Sequence, residues 1–514
     1  MKRILTALLS LMLVLAMIVP AGAENLVTWP EQPEEITLTL FADFTWLSYD
    51  NLDGIIPQWI KDQTGITVEM TKATDSNQLV LMVASGEIPY DLVVTDNDTL
   101  FREMSDTSMC YPYDELIAQY VPNWEVPVVE QRLNGQYAQD GHYYMLKNNF
   151  DTIEKLRTTA GYAVNTDGFY FRRDIFDTLG IEKVPTDFDG VMNMLGAVNE
   201  KYPSMTPMVF LARNYGAFAS FAGLDTAFPT DENGNLVHKL SDPHMKDFYA
   251  SINKMYRAGY ISAENFAFNS DEQMFQYMTD GTGFMFAGFG LDEPSFDRFA
   301  KSNNPDASIQ MMPLMDNYAH TFNVSGWAGC YITKTCKNPE AAIKLIGWIK
   351  DGDNTYSARA GVKDVDWTWD ENGKFILLDR YKETAAATDV DVAYNTGVCF
   401  LLNASGFIVE NAVTYTNASE NVRAICDDAV ARSSFSNLVG LASPESNSDE
   451  AIIKGNLNDL EIEYFPIVCM SATEEEFEAN YAKLMAEAEK IGIAQYNTWL
   501  SAKYAELCES FGGK

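Results

Sequence analysis

The chain is poor in histidine and has no paired cysteine motif, and these shortages argue against several classes of chemistry. It has 514 residues and only four histidines, and it contains no HExxH, GxSxG or Walker A pattern. Familiar signatures of metalloproteases, serine hydrolases and P-loop NTPases are therefore missing. The seven cysteines are scattered without a CxxC pair, so we expect no zinc site. The sequence allows one disulfide but does not choose its partners.

Basic residues are also few. Lys and Arg total 36 against 73 Asp and Glu, which gives a formal net charge of −37. This excess of acid argues against nucleic acids and anionic membrane surfaces as partners. The simplest interpretation is solubility outside the cell. Beyond the N-terminal segment, no stretch of sequence is long and apolar enough to span a bilayer.

The N-terminal segment has the three parts of a secretion signal. Lys2 and Arg3 precede an apolar run from Ile4 to Val19, and small residues follow at 21–23. We predict a signal peptide over residues 1–23, cleaved after its small residues, and a flexible lead-in over 24–35. An uncleaved anchor is the alternative. No cysteine stands at the cleavage point, so the signal does not encode a lipoprotein.

The stretch from Trp59 to Val94 has the alternating pattern of a parallel α/β sheet. A helix ends at Gly65, a strand follows at 66–70, a second helix ends at Gly86, and a short apolar strand covers 91–94. An earlier alternating segment, 36–40, predicts the first strand. The stretch contains no nucleophile, metal cluster or phosphate-binding loop. It predicts a structural framework with ligand contacts in the loops beside it.

Two loops follow strands of this framework and carry polar or aromatic side chains. Trp46 and Tyr49 follow the strand at 36–40, and Asp96 and Asp98 follow the strand ending at Val94. Ligands of open α/β sheets bind outside the carboxyl ends of the strands. We therefore expect both loops to open onto one binding cleft.

Three local patterns in the later sequence give further expectations. Residues 142–146 are predicted to form a strand, and residues 367–375 a hairpin around Asn372-Gly373. Residues 231–235, DENGN, have a slight likeness to a calcium loop but lack the later glutamate of an EF-hand. We interpret them as a turn.

Five phrases, in order along the chain, resemble one protein family. They are LMVASGEIPYDLV at 81–93, FYFRRDIFDTLGIEKVPT at 169–186, INKMYRAGYIS at 252–262, ITKTCKNPEAAIKLIGWI at 332–349 and EEEFEANYAKLMAEAEKIGIAQY at 474–496. Together they resemble the type 1 extracellular solute-binding proteins of bacterial ABC importers. More narrowly, they resemble the LipO/LplA-like oligosaccharide-binding branch. The chain departs from the family in the missing lipoprotein cysteine, which puts membrane tethering in doubt and leaves the fold unaffected.

The resemblance implies an α/β fold of two lobes joined by hinge crossings, the type II, maltose-binding-protein-like form of the periplasmic-binding-protein fold. It implies that lobe 1 spans 36–158 and returns at 322–365, and that lobe 2 begins at 159–321. Residues 366–514 would form the hinge return and the helical C-terminal part of lobe 2. The implied function is capture of a carbohydrate, expected to be an oligosaccharide, between the lobes and its delivery to a membrane permease.

Sugar binding needs flat apolar faces for the rings and polar side chains for the hydroxyls. The candidate ligand-binding residues that offer such groups near the expected cleft are Trp46, Tyr49, Asp96, Asp98, Tyr144, Arg172, Phe289, Trp327 and Trp367. Core packing is the more common fate of any single aromatic residue. Arg172 can serve either an acidic ligand or the start of a helix at Asp174. We expect no catalytic residue, metal or cofactor, and a monomeric protein at the outer face of the cell membrane or secreted from it.

Two other functions stay open on the sequence alone. A secreted glycosidase needs only two carboxylates, which a chain with 73 acidic residues easily supplies. A sensor ectodomain would bind a ligand without transporting it. The sequence does not name the ligand, and uronates and peptides remain alternatives to a neutral sugar.

Overall fold

The computed structural model describes residues 25–164, 167–210, 216–268, 271–288, 293–403, 406–444 and 448–511. The predicted signal peptide lies outside these residues. Within them the chain is a mixed α/β protein built on two four-stranded sheets, as the sequence predicts. No helix in the described ranges is long and apolar enough to cross a membrane.

The first sheet has the strand order β2-β1-β3-β9. Its strands are β1 (Ile36–Ala42), β2 (Ile66–Lys72), β3 (Leu92–Thr95) and β9 (Gly329–Ile332). β1 pairs in parallel with both β2 and β3, whereas β9 runs antiparallel to β3. The carboxyl ends of β1 and β3 and the start of β9 therefore meet at one edge of the sheet, which is where Trp46, Asp96 and Trp327 follow or precede a strand.

The second sheet has the strand order β5-β6-β4-β7. Its strands are β4 (Gly168–Arg172), β5 (Thr206–Val209), β6 (Gly283–Gly288) and β7 (Ile309–Met311). β4 lies antiparallel to β6, pairing Gly168 with Gly288. β8 (Thr321–Asn323) pairs with β12 (Ser434–Ser436), and β10 (Trp367–Trp369) with β11 (Phe375–Leu377).

Every residue of β3, β4, β6 and β9 is buried, so both faces of these strands are covered, whereas the edge strand β2 has exposed residues in alternation with buried ones. The helices before the second sheet are α1 (Ile55–Thr64), α2 (Gln78–Ser85), α3 (Phe101–Met104), α4 (Tyr113–Tyr120), α5 (Val128–Gly135) and α6 (Ile153–Thr158). Those within and just after the second sheet are α7 (Arg173–Phe176), α8 (Phe188–Lys201), α9 (Gly216–Ala222), α10 (Met245–Arg257), α11 (Asp271–Thr279) and α12 (Glu293–Lys301). The remainder are α13 (Pro339–Ile349), α14 (Asp353–Ala360), α15 (Asp379–Ala387), α16 (Val390–Tyr394), α17 (Val398–Leu401), α18 (Phe407–Asn417), α19 (Glu420–Arg432), α20 (Asp449–Cys469), α21 (Glu474–Ile491) and α22 (Ile493–Ser510). Short 3-10 turns occupy Lys239–Ser241, Ala263–Ala267 and Val439–Leu441.

The helix stops predicted from glycines are confirmed. Gly65 and Gly86 have φ values of 73° and 72° and close α1 and α2 in the left-handed conformation. A capping box forms at the start of α21, where Thr473 Oγ1 accepts a hydrogen bond from the Glu476 N–H at 3.1 Å. The Glu476 carboxylate in turn accepts from the Ala472 N–H at 2.8 Å.

The predicted strand at 142–146 is wrong. The segment is an extended connection whose neighbours do not form a ladder: the Tyr113 N–H donates to the Tyr143 carbonyl at 2.7 Å, and Lys147 forms an isolated bridge with Gly329. The predicted hairpin at 367–375 is confirmed, with Trp369 opposite Phe375 and Gly373 at φ 73°.

The later helices divide between the two sheets. Residues of 367–402 pack into the core beside the first sheet, whereas residues from 453 onward pack beside the second. The lobe boundaries given above stay predictions. All seven cysteines are free thiols in buried positions, so the disulfide that the sequence allows does not form.

Candidate functional site

Four aromatic rings form one cluster at the edge of the first sheet. The ring of Phe44 lies 5.2 Å from that of Trp46 and 5.7 Å from that of Trp327. Phe400 completes the cluster, with ring centroids 5.7 Å from Trp46 and 5.5 Å from Trp327. Phe44 is buried, Trp327 and Phe400 are half-buried, and Trp46 is 59% exposed. Because most large apolar side chains are buried, an exposed tryptophan on an aromatic base is a candidate ligand surface.

Local structure on both sides of the sheet edge positions the two tryptophans. β1 ends at Ala42, so Phe44 turns into the core while Trp46 follows in the exposed loop. Trp327 precedes β9, and the buried Asn148 holds that segment by accepting a hydrogen bond from the Ala328 N–H at 3.0 Å. Gly326 has φ 83°, and a Cβ there would lie 2.3 Å from the Asn148 carbonyl oxygen. Only glycine fits this turn.

A cavity of about 340 Å³ opens beside the cluster. Trp46 and Phe400 form its apolar wall, and its polar wall is formed by Arg359, Asp391, Thr396 and Glu410. Tyr49 lies at the inner end, where its hydroxyl packs against Gly397. Burial raises the pKa of the Tyr49 phenol, so it stays protonated and able to donate a hydrogen bond.

Two carboxylates stand at the ends of the central strands. Asp43 follows β1, and its Oδ2 accepts a hydrogen bond from the Thr95 hydroxyl at 2.8 Å. The pKa of Asp43 is raised to about 6, chiefly by burial; the Thr95 hydrogen bond opposes this shift and the nearby charge of Asp96 adds to it. Asp96 itself is exposed. The edge of the sheet therefore offers carboxylate acceptors next to the aromatic cluster.

Asp98 lies in a second, larger cavity of about 650 Å³. Arg102 and Tyr137 line it on the side of the first sheet, and Leu441 and Lys503 on the opposite side. The half-buried Lys147 donates to the Tyr137 hydroxyl at 2.9 Å, and its Nζ lies 4.7 Å from the centre of the Phe101 ring. Burial lowers the pKa of Lys147 to about 8, and the charge of Asp98 opposes this shift.

Tyr144 and Trp367 are fully buried, so we leave them out of the proposed site. The Tyr144 hydroxyl donates to Asp140 at 2.5 Å. Trp367 donates from Nε1 to the Gly361 carbonyl at 2.9 Å and packs against Tyr356 and Phe375. Both side chains are core residues, because their polar atoms are paired within the protein.

Arg172 lies at the far end of β4, away from the strand end that pairs Gly168 with Gly288. Its guanidinium forms a bidentate pair with Asp174, at 2.8 and 2.6 Å, which is the helix-start role given above as its alternative. We leave it out of the proposed site as well. Phe289 lies outside the described residues.

The structure therefore brings Trp46 and Trp327 into one cluster with Tyr49 in the adjoining cavity, places Asp96 near Asp43 at the same edge of the sheet, and puts Asp98 in a separate cavity. Sequence reasoning missed Asp43, Phe44, Arg359 and Phe400. The position of Asp43 directly after an apolar strand is the same signal that found Asp96, so it was available. Phe400 lies in a helical pattern with no feature that marks it.

Among the described residues, no group of three or more His, Cys, Asp or Glu side chains is arranged to hold a metal ion. The DENGN segment forms the predicted turn, since Asp231 Oδ1 accepts from the N–H groups of Asn233 and Asn235 at 2.9 Å. Residues 370–374, DENGK, fold in the same way, with Asp370 accepting from Asn372 and Lys374.

Residues 47–355 match the model of the family described as bacterial extracellular solute-binding protein. The match covers more than half of the chain and includes Tyr49, Asp96 and Trp327. A search of curated proteins gives no significant match.

Solved structures of solute-binding proteins share the whole fold. The substrate-binding protein FusA of Streptococcus pneumoniae in complex with kestose has a TM-score of 0.64 and 17% identity, covering 92% of this chain and 100% of its own. The alginate-binding protein AlgQ2 has a TM-score of 0.62 and 17% identity over 93% and 99%. The N-glycan transport protein NgtS of Streptococcus pneumoniae has a TM-score of 0.59 and 14% identity over 93% and 100%. At these identities the likeness establishes the two-lobe fold.

Proposed function

The chain belongs to the bacterial extracellular solute-binding proteins, and from this premise we propose that it captures an oligosaccharide between its two lobes for an ABC importer. Its partners would be the sugar and the permease subunits of that importer. The proteins of similar fold named above are described as a complex with kestose, an alginate-binding protein and an N-glycan transport protein, which supports a carbohydrate for this chain too. Assignment to the LipO/LplA-like branch stays a prediction.

The observation that carries the proposal is the exposed face of Trp46 on its aromatic base. Sugar rings have apolar faces that stack on aromatic side chains, while their hydroxyls need acceptors and donors around the rim. Asp43 and Asp96 supply acceptors, and the adjoining cavity supplies the hydroxyl of Tyr49, whereas the Thr396 hydroxyl already donates to Asp391. A ligand held in this way is bound without covalent chemistry or a cofactor.

One feature favours glycoside hydrolysis as the second candidate. Asp43 has a pKa near 6 beside Asp96, and glycosidases use one carboxyl that stays protonated near neutral pH and one that is ionised. Transport remains the preferred proposal, because the members of the family are transport proteins. The two functions differ in whether product forms.

The test is a thermal-shift screen of the mature chain over neutral oligosaccharides, acidic oligosaccharides and short peptides. A ligand that binds the folded state raises Tm in a saturable way, and we expect this from oligosaccharides. Each hit is incubated overnight with the protein and analysed for cleavage products. A rise in Tm from peptides alone would contradict the carbohydrate assignment, and cleavage of a hit would favour the glycosidase.

Transport and sensing are separated by uptake. Deleting the gene should abolish uptake of the best hit and restoring it should bring uptake back, whereas a sensor would leave uptake intact. Trp46→Ala and Trp327→Ala should weaken the best hit. If neither does, the site lies elsewhere.

A further inference from the structure

The charges around the aromatic cluster distinguish between classes of sugar. Asp43 and Asp96 stand on the sheet side, and Asp391 and Glu410 line the adjoining cavity. Arg359 is the cationic side chain among the described residues that line this cavity. Its Nη1 lies 4.0 Å from Asp391 Oδ1, so its charge is already opposed by a carboxylate.

A second cation, Lys72 at the end of β2, is also paired with a carboxylate. Lys72 donates to the carbonyl oxygen of Leu47 at 3.0 Å and forms an ion pair with Asp50 at 2.6 Å. Within the described part of the chain, neither Asp43 nor Asp96 forms an ion pair. A ligand at this edge of the sheet therefore meets Asp43 and Asp96, which have no ion-pair partner in the described part of the chain, whereas Arg359 and Lys72 already have carboxylate partners.

We propose that the site selects uncharged, hydroxyl-rich sugars and discriminates against uronates and other anionic glycans. This inference rests on the proposed function, since it names the class of sugar that the same site takes. Carboxylates accept strong, charge-assisted hydrogen bonds from hydroxyl groups. The same carboxylates repel a ligand carboxylate, and a partly buried pair is poorly screened by salt.

The fold alone does not make this distinction, because a protein of similar fold is described as binding alginate, an anionic polymer. The inference comes from residues of this chain. Asp43 is its centre, since it directly follows β1, immediately precedes Phe44 in the chain, and is more buried than Asp96.

The experiment compares matched pairs of tetrasaccharides that differ only at C6. The pairs are β-1,4-mannotetraose with tetramannuronate, cellotetraose with its C6-oxidised form, and α-1,4-galactotetraose with tetragalacturonate. Dissociation constants are measured by titration calorimetry at pH 7.5 and 150 mM salt, and the wider screen supplies neutral and acidic glycans of other linkages. We expect the glycans that bind to be neutral. Where both members of a pair bind, the neutral one should bind at least tenfold more tightly than its acidic counterpart.

Two variants separate a local charge effect from the overall charge of the protein. Asp43→Asn keeps the size of the side chain and an acceptor for the Thr95 hydroxyl, and it should narrow the neutral-to-acidic ratio at least threefold. Asp459→Asn removes one exposed charge from α20, far along the chain from the cluster, and should leave the ratio unchanged. An equal narrowing in both variants would overturn the assignment to Asp43.

The outcomes also distinguish this inference from the function on which it rests. An acidic glycan that binds as tightly as its neutral counterpart, or more tightly, overturns the inference and leaves sugar capture standing. If no glycan of either class binds, sugar capture fails and the inference fails with it.

Discussion

Replacing Trp46 with alanine should separate ligand affinity from stability. A tryptophan side chain has about 250 Å² of surface, and Trp46 is 59% exposed, which leaves roughly 150 Å² open to solvent by the same measure. A sugar ring that stacks on one face covers about half of that, or ~75 Å². At about 25 cal/mol per Å² the lost contact amounts to ~2 kcal/mol. The dissociation constant of the best ligand should therefore rise about 30-fold.

The stability of the same variant should change much less. Trp46 contacts Phe44, Trp327 and Phe400, but its exposed position means that little apolar surface returns to water when it is removed. We expect a loss of about 1 kcal/mol in the free energy of unfolding. Titration calorimetry with the best hit gives the affinity, and urea unfolding gives the stability.

Trp367→Phe is the matched control. Trp367 is fully buried, and the substitution removes its hydrogen bond to the Gly361 carbonyl and part of its volume. It should cost about 2 kcal/mol of stability and leave affinity within about twofold of the original, a change of under ~0.5 kcal/mol. The reasoning is refuted if Trp46→Ala binds as tightly as the original chain, or if Trp367→Phe loses as much affinity as Trp46→Ala.

Three further substitutions test the support of the site and of the fold. Gly326→Ala should lower Tm and displace Trp327. The control is Gly86→Ala: position 86 has a similar φ, but a Cβ there meets nothing within 4 Å, so the variant should lose only the ~1 kcal/mol of stability that a left-handed backbone costs. Equal losses of stability in the two variants would contradict the predicted clash at position 326. Asp366 is fully buried and accepts from a guanidinium and a phenol, so Asp366→Ala should cost about 3 kcal/mol in urea unfolding, and a loss under ~1 kcal/mol would contradict this role. Because the pKa of Asp43 is raised in the folded state, its protonated form contributes to stability below about pH 4, and this contribution is lost as the pH rises to about 6. After discounting for solvent screening, Asp43→Asn should be more stable than the original chain by about 1 kcal/mol at pH 7.5 and should gain nothing at pH 3.5. An equal gain at both pH values would show that the charge is not responsible.

Features set by neighbouring residues were predictable from the sequence. The stops of α1 and α2 follow from single glycines that adopt positive φ, and the hairpin of β10 and β11 follows from Asn372-Gly373 between two alternating segments. The strand prediction at 142–146 failed because the aromatic and apolar residues of this segment are typical of a strand, yet it has only single partners: Tyr113 bonds to Tyr143, and Gly329 bridges to the following Lys147. A strand needs a continuous partner, and local sequence does not reveal whether one exists.

Burial decided which predicted aromatic residues reach the candidate site. Trp46 follows a strand-like segment and Trp367 begins one, so the sequence alone does not distinguish a ligand-binding role from a core position for either. The first lies in a loop that leaves the sheet, whereas the second packs under Tyr356 and Phe375 in a core formed with distant helices. Arg172 shows the same limit for charge: the sequence allows it a ligand or Asp174 as partner, and only the folded structure shows its bidentate pair with Asp174.

The aromatic cluster itself depends on three chain segments that meet only in the folded protein. Phe44 and Trp46 come from the end of β1, Trp327 from the start of β9, and Phe400 from α17. β3 lies between β1 and β9 and pairs with both, which fixes the spacing of the two tryptophans. Phe400 packs against the core beside the same sheet, so all four rings are held by one framework. The aromatic surface is therefore already assembled by the fold itself, so the proposed binding would not have to bring these rings together first.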